Sequence, residues 1–227
     1  MSTAYISFEE QVRIPSDAFD LPGFRRWVHS DDYPERGKIS FIDGEIVVDL
    51  SPEEISSHAQ LKLSIHAQLW MFVRKHKLGK CYPDGVLLIN EAANVSNEPD
   101  FMYCSVDSLK SGRVQAREFV ADSGRFVELT GSPDLVVELV SRTSVRKDTK
   151  LLRDRYYAAG IGEYWLIDAR GEEIDFKLLK RGKSGYLETN PDDDGFLRST
   201  VLNASFLLTR AWNEILGFEY TLRELEQ

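Results

Sequence analysis

Two cysteines, Cys81 and Cys104, are all that the 227 residues contain. They are too few and too far apart for a disulfide framework or a thiolate zinc site, which fits a reducing cytoplasm. Apolar runs stop far short of the roughly 20 residues that cross a bilayer, and the start lacks the basic-then-apolar pattern of a secretion signal. The expectation is a soluble, cytoplasmic protein with no membrane partner. Histidine is scarce, at 4 residues, and no His/Cys group stands at zinc-ligand spacing. Without a Gly-rich phosphate loop or a Ser or Cys nucleophile motif, nucleotide-kinase and serine-hydrolase chemistry find no support. Positive charge is not in excess: 28 Lys+Arg against 37 Asp+Glu leave a net charge of −9. That argues against a non-specific coat for nucleic acid but leaves a local basic groove open. What is present is 42% apolar and 11% aromatic sequence, enough at this length for a sizeable core without disulfide staples.

No repeat, low-complexity tract or Gly/Ser linker divides the chain. The reading is a loose N-terminal extension, residues 1–37, with a short helix over Leu21 to His29, followed by a single domain over residues 38–227. Lys38 to Ile42 and Glu45 to Leu50 flank Asp43-Gly44, a strong two-residue hairpin signal. Ser51-Pro52-Glu53-Glu54 reads as a capping box, and Ile55, Leu61, Ile65, Leu69, Phe72 and Val73 then recur at helical spacing as far as Gly79, a plausible C-cap. Val86 to Ile89, Phe101 to Cys104, Phe126 to Leu129 and Leu135 to Val140 have strand length and are bounded by turn formers. A second helix over Val145 to Ala159 ends at Gly160, and Tyr164 to Ile167 is another strand. Ile174 to Leu179, Tyr186 to Thr189 and Phe196 to Leu202 read as an antiparallel meander. The fold class is α+β: a mixed β-sheet core flanked by helices, with an antiparallel C-terminal meander.

The segment Pro133 to Ser141 carries most chemical information. Glu138 stands among aliphatic strand residues and shares a face with Val136 and Val140, so on a central strand it needs a cation or a proton. The alternative is an edge strand with one solvated acid. Asp100 follows Pro99 at the entry of the strand Phe101 to Cys104, where a proline's missing N–H costs little. Glu45 follows the Asp43-Gly44 turn, and His58 lies near the start of the long helix, either approaching the acids or acting as a surface or capping residue.

A Pro-Asp at a strand start, a Glu within an apolar strand and then a basic helix together resemble the PD-(D/E)XK restriction-endonuclease-like superfamily. Within it the chain is similar to the Uma family of endonucleases, formerly catalogued as a domain of unknown function. The matching stretches are Asp43-Gly44-Glu45-Ile46-Val47 with His58, Glu98-Pro99-Asp100, Pro133 to Ser141, Tyr156 with Ala159-Gly160, and Glu163 to Asp168, spanning about residues 40 to 205. The resemblance implies an α/β/α-like nuclease core and a Mg²⁺-dependent (or Mn²⁺-dependent) endonuclease that hydrolyses phosphodiester bonds of DNA as a homodimer. In that picture Asp100, Glu138 and the backbone carbonyl of Leu139 hold the metal, and Glu45 completes the acidic cluster. Hard cations prefer such oxygen ligands.

The superfamily's lysine is missing from its usual place. Val140 stands two residues beyond Glu138, and Leu152 occupies the position to which the Uma lysine usually migrates. Lys147 and Lys150 are the nearby candidates, with Lys150 expected closer to level with Glu138 and Lys147 placed to reach across from the helix start. From Arg142 to Arg155 six bases and two acids give a local charge of +4; Arg74, Lys75, Lys77 and Lys80 form a second basic group. Either can meet phosphates or be a solvated helix face. Two rivals stay open: a catalytically inactive nuclease-fold module that binds nucleic acid or protein, and an enzyme for another phosphorylated substrate.

Overall fold

The computed structural model describes residues 12–34, 37–118 and 124–226; residues 1–11 of the N-terminal extension, with Glu35 and Arg36, lie outside the described residues. The chain opens with α1 (Leu21–Val28) and the hairpin β1 (Lys38–Ile42) and β2 (Glu45–Asp49). A wide π-helical turn (Ile55–Gln60) runs into α2 (Leu61–His76). Then come β3 (Gly79–Pro83), β4 (Leu87–Asn90), β5 (Val95–Asn97), β6 (Phe101–Ser105), α3 (Val106–Lys110), β7 (Val114–Glu118), β8 (Phe126–Gly131) and β9 (Leu135–Leu139). A second π-helical turn (Lys147–Leu152) precedes α4 (Arg153–Ala158), followed by β10 (Glu163–Asp168), β11 (Asp175–Arg181), β12 (Tyr186–Glu188), β13 (Leu197–Ser199), β14 (Ala204–Asn213) and β15 (Gly217–Glu226).

These strands form a sheet ordered β2-β1-β5-β4-β8-β7, a second ordered β12-β11-β10-β9-β6-β3, and a three-stranded sheet β13-β14-β15. The first two are mixed, since β9 runs parallel to β10 and antiparallel to β6, and β4 runs parallel to β8. The second sheet is the centre. Leu135, Val137 and Leu139 on one of its faces join Trp165, Ile167, α2 residues and the three-stranded sheet in one core. Val136, Val140, Tyr164 and Leu166 on the other face pack with Leu152 and Tyr156 and with Leu88, Val95 and Leu129 of the first sheet. A strand enclosed on both faces reads as a continuous apolar run, which is why β9 holds only one charged residue.

The Asp-Gly turn forms as its residues dictate: Asp43 and Gly44 both take positive φ, 53° and 87°, the pair a primed hairpin turn requires. The capping box is displaced, because the Ser51 hydroxyl is used by Asp49 at 2.5 Å. The Glu54 carboxylate caps instead, accepting from the Ser56 and Ser57 amides. Lys77, with φ 53°, rather than Gly79, ends α2. Gly79 opens β3, where a Cβ would stand 2.0 Å from the Cys104 carbonyl oxygen.

The C-terminal meander is split between sheets: β11 and β12 extend the central one, whereas β13 pairs with β14. The described part of the N-terminal extension is fastened rather than loose. Phe24 and Trp27 of α1 are buried against Ile39, Phe41, Leu87 and Ile89, each such ring contributing roughly 2–3 kcal/mol on leaving water.

Candidate active site

Two strand ends set the acids side by side. β6 and β9 pair antiparallel through Phe101↔Val137, so one step further the register places Asp100 beside Glu138. The Leu139 amide donates to Asp100 Oδ2 at 2.8 Å. Both carboxylates and Leu139 line one cleft of about 1090 Å³, together with Lys38, Glu53, His58, Arg142 and Lys147. Asp100 is 3% and Glu138 1% exposed; β9 is central, and the edge-strand alternative falls.

The first helix unit supplies three polar residues at four-residue spacing, and all three reach Asp100. His58 Nε2 donates to the Leu139 carbonyl oxygen at 3.1 Å and lies 3.9 Å from Asp100 Oδ2. Lys62 Nζ lies 3.2 Å from Asp100 Oδ1, and His66 Nε2 donates to the Asp100 carbonyl oxygen at 2.6 Å. Lys38, at the start of β1, donates to Asp100 Oδ1 at 3.0 Å. Burial opposes ionisation of Asp100, but Lys38 and Lys62 outweigh it and hold this carboxyl well below the usual range.

Glu138 is the opposite case. Its Oε1 accepts from Tyr156 Oη at 2.6 Å and Asn97 Nδ2 at 3.0 Å, while Oε2 has Lys147 Nζ at 3.7 Å. Burial prevails, against the pull of Lys147 and with Asp148 and Asp100 adding to it, and pushes the carboxyl up to about 8. Lys147 also lies 2.7 Å from Asp148 Oδ1. Burial works against its charge, but Glu138 and Asp148 keep it protonated.

Two of the candidate residues stand apart from this group. Glu45 does not join the acidic group. It sits on the exposed hairpin, held bidentate by Arg146 at 2.6 and 2.9 Å; Asp49, further along β2, lines the cleft instead. Lys150 is exposed and absent from the cleft lining, because the helix opens with a π turn that directs Lys147, not Lys150, back onto β9. Val140 and Leu152 are both core residues, 2% and 0% exposed, which leaves their sites unable to present a lysine to the cleft. Of the basic groups, Arg142 is an exposed residue of the cleft lining. Arg146 and Arg155 are taken by Glu45 and Asp43. The group Arg74, Lys75, Lys77 and Lys80 spans the last turn of α2 and the residues just after it, at the far end of a 16-residue helix about 24 Å long.

Sequence reasoning did not find Lys38, Glu53, Lys62, Asp84, Asn97 or Asp148. The recurrence of His58, Lys62 and His66 at one helical spacing was the available signal. The others are polar groups far apart in sequence whose meeting depends on strand order.

No three His, Cys, Asp or Glu side chains among the described residues form a ready ligand set. The donor chemistry nevertheless fits one hard cation: two carboxylates, Asp100 and Glu138, plus the Leu139 carbonyl, with water completing the shell as Mg²⁺ favours. Charge agrees. Among the described residues, the carboxylates of Glu53, Asp84, Asp100, Glu138 and Asp148 pair with the ammonium groups of Lys38, Lys62 and Lys147, so with all ionised and His58 neutral a formal −2 is left.

No curated protein matches the chain. A crystal structure from Anabaena variabilis, described as "a putative nuclease belonging to DUF820", is similar in fold, with a TM-score of 0.55 and 13% identity over 72% of this chain and 82% of that one. Over residues 23–210 the sequence matches the Uma2 family, described as "Putative restriction endonuclease", and the chain belongs to that family.

Proposed function

We propose that this protein is a Mg²⁺- or Mn²⁺-dependent endonuclease that hydrolyses phosphodiester bonds of DNA in the cleft between β2, β9 and the first π turn. The observation that carries the reading is Lys147 Nζ at 3.7 Å from Glu138 Oε2, with Asp100 on the adjacent strand. It reassembles an acid, acid and lysine set from a sequence position the superfamily pattern does not use. Asp100, Glu138 and the Leu139 carbonyl would hold the ion, which supplies Lewis-acid polarisation of the phosphate and acidifies the attacking water. Lys147 would orient that water and balance charge as it develops on phosphorus. His58, through the Leu139 carbonyl, and Lys38 and Lys62, through Asp100, fix the ligand atoms. Arg142 at the mouth would meet a phosphate of the substrate. The homodimer implied by the resemblance belongs to this proposal, as does the cytoplasmic setting, with which the free thiols of Cys81 and Cys104 accord.

The pairing of both Lys38 and Lys62 with Asp100 favours a second reading, a nuclease-fold module that binds nucleic acid or protein without cutting. Plasmid cleavage decides between them. Wild type with Mg²⁺ or Mn²⁺ should nick supercoiled and cut single-stranded DNA, while Asp100→Ala and Glu138→Ala should not. A folded wild type that binds DNA but never cuts it supports the second reading.

A further inference from the structure

Lys62 sits where an ammonium ion needs a strong reason to be. Its side chain is only 9% exposed, yet Nζ is surrounded by oxygens of three carboxylates: Glu53, Asp84 at 2.9 Å and Asp100 at 3.2 Å. Lys38 Nζ stands at the cleft side of the same group, 3.0 Å from Asp100, 3.7 Å from Glu53 and 3.9 Å from Asp84. Asp100 is therefore shared. Its Oδ1 serves the two ammonium groups, while its Oδ2 faces the Leu139 amide and His58. A carboxylate bridging two cations about 3.5–4 Å apart is the arrangement of two-metal phosphodiester chemistry. Here the Oδ1 side of Asp100 already carries positive charge that belongs to the chain.

We infer that Lys62 is a built-in cation occupying the second cation position beside Asp100, so that the cleft takes one divalent ion per chain. The inference rests on the metal-dependent reading above and goes beyond it by fixing the stoichiometry and the residue that sets it. Three carboxylates against two ammonium groups leave this cage a single negative charge, too little to hold a doubly charged ion against its lysine neighbours. An ammonium desolvated to this degree is stable only while the carboxylates surround it. Lys62 is itself one of the buried residues of α2, beside Leu61 and Ile65 in the sequence. Lys62 is a positioning residue: it holds Asp100 with one oxygen turned toward Leu139, where a ligand oxygen is required.

The test is a calorimetric Mn²⁺ titration of the full chain, combined with electron paramagnetic resonance, for wild type, Lys62→Met and Lys62→Arg. Wild type and Lys62→Arg should bind one Mn²⁺ with an uncoupled mononuclear spectrum. Lys62→Met, folded by circular dichroism, should bind two and show spin coupling between them. Two coupled ions in wild type overturn the inference whether or not Lys62→Met folds. A folded Lys62→Met that still binds one also overturns it, while leaving the metal-dependent reading intact. If wild type binds none, the metal-dependent reading fails and this inference fails with it.

Discussion

Lys147 Nζ stands 3.7 Å from Glu138 Oε2 and 2.7 Å from Asp148 Oδ1, although nine positions separate it from Glu138 in sequence. The π turn at Lys147–Leu152 makes this possible: a wider turn carries the first residue of the helix back over the end of β9, whereas Lys150 faces solvent. On the proposed mechanism Lys147→Met should lower the plasmid cleavage rate by about 100-fold or more, ~2.7 kcal/mol of transition-state stabilisation, with Mn²⁺ affinity largely kept. Lys150→Met should stay within about two-fold. Equal losses for both would show that neither is special.

Glu138 links the cation-free fold to pH. Its carboxyl is raised from 4.5 to about 8 by burial, so the folded state holds a proton that the unfolded chain releases more readily. The stability this gives is fully present below pH 4.5 and is lost as pH rises toward 8. In EDTA, urea denaturation of wild type should show a loss of about 1–3 kcal/mol between pH 6 and pH 9. Glu138→Gln, which can still accept from Tyr156 and Asn97, should flatten that slope. A wild-type curve equally flat over the interval contradicts this account of the buried acid.

Glu163 is a structural carboxylate of another kind. It is 0% exposed and accepts from Trp165 Nε1, Ser199 Oγ, the Thr200 amide and hydroxyl, and the Val201 amide. These bonds pin the turn after β13 to the start of β10, joining the three-stranded sheet to the central one. Glu163→Ala should destabilise by roughly 3–5 kcal/mol, because several donors lose the carboxylate they share. Denaturation within about 0.5 kcal/mol of wild type would mean that water or a neighbour takes over those donors.

Arg142 tests the path of the substrate. It is exposed at the mouth of the cleft, so Arg142→Ala should weaken DNA binding across sequences and lower the slope of log affinity against log salt by about one phosphate contact. Lys77→Ala, beyond the far end of α2, should leave that slope unchanged. The reverse order would move the nucleic acid to the other end of the helix.

The fold was legible where a residue's local pattern and its tertiary fate agree. Asp43-Gly44 signalled a tight hairpin turn, and the aliphatic run around Glu138 favoured a strand covered on both faces over a solvated edge. β3, β5 and β7 were not legible, because Gly79–Pro83, Val95–Asn97 and Val114–Glu118 are short or polar and owe their extension to partners elsewhere in the sheets. The same holds for the site. Asp100 and Glu138 announce themselves by what precedes or surrounds them, whereas Lys38 and Asp84 acquire their role only when strand order brings them to Asp100. Glu45 was a candidate only through the resemblance, and Arg146 claims it.

Anomalous scattering from crystals soaked in Mn²⁺ tests the central claim most directly. The account predicts one peak within ligand distance of Asp100, Glu138 and the Leu139 carbonyl oxygen, lost in Glu138→Gln crystals. A fully soaked wild-type crystal with no peak there, or with its peak at Glu45 or another surface acid, contradicts it.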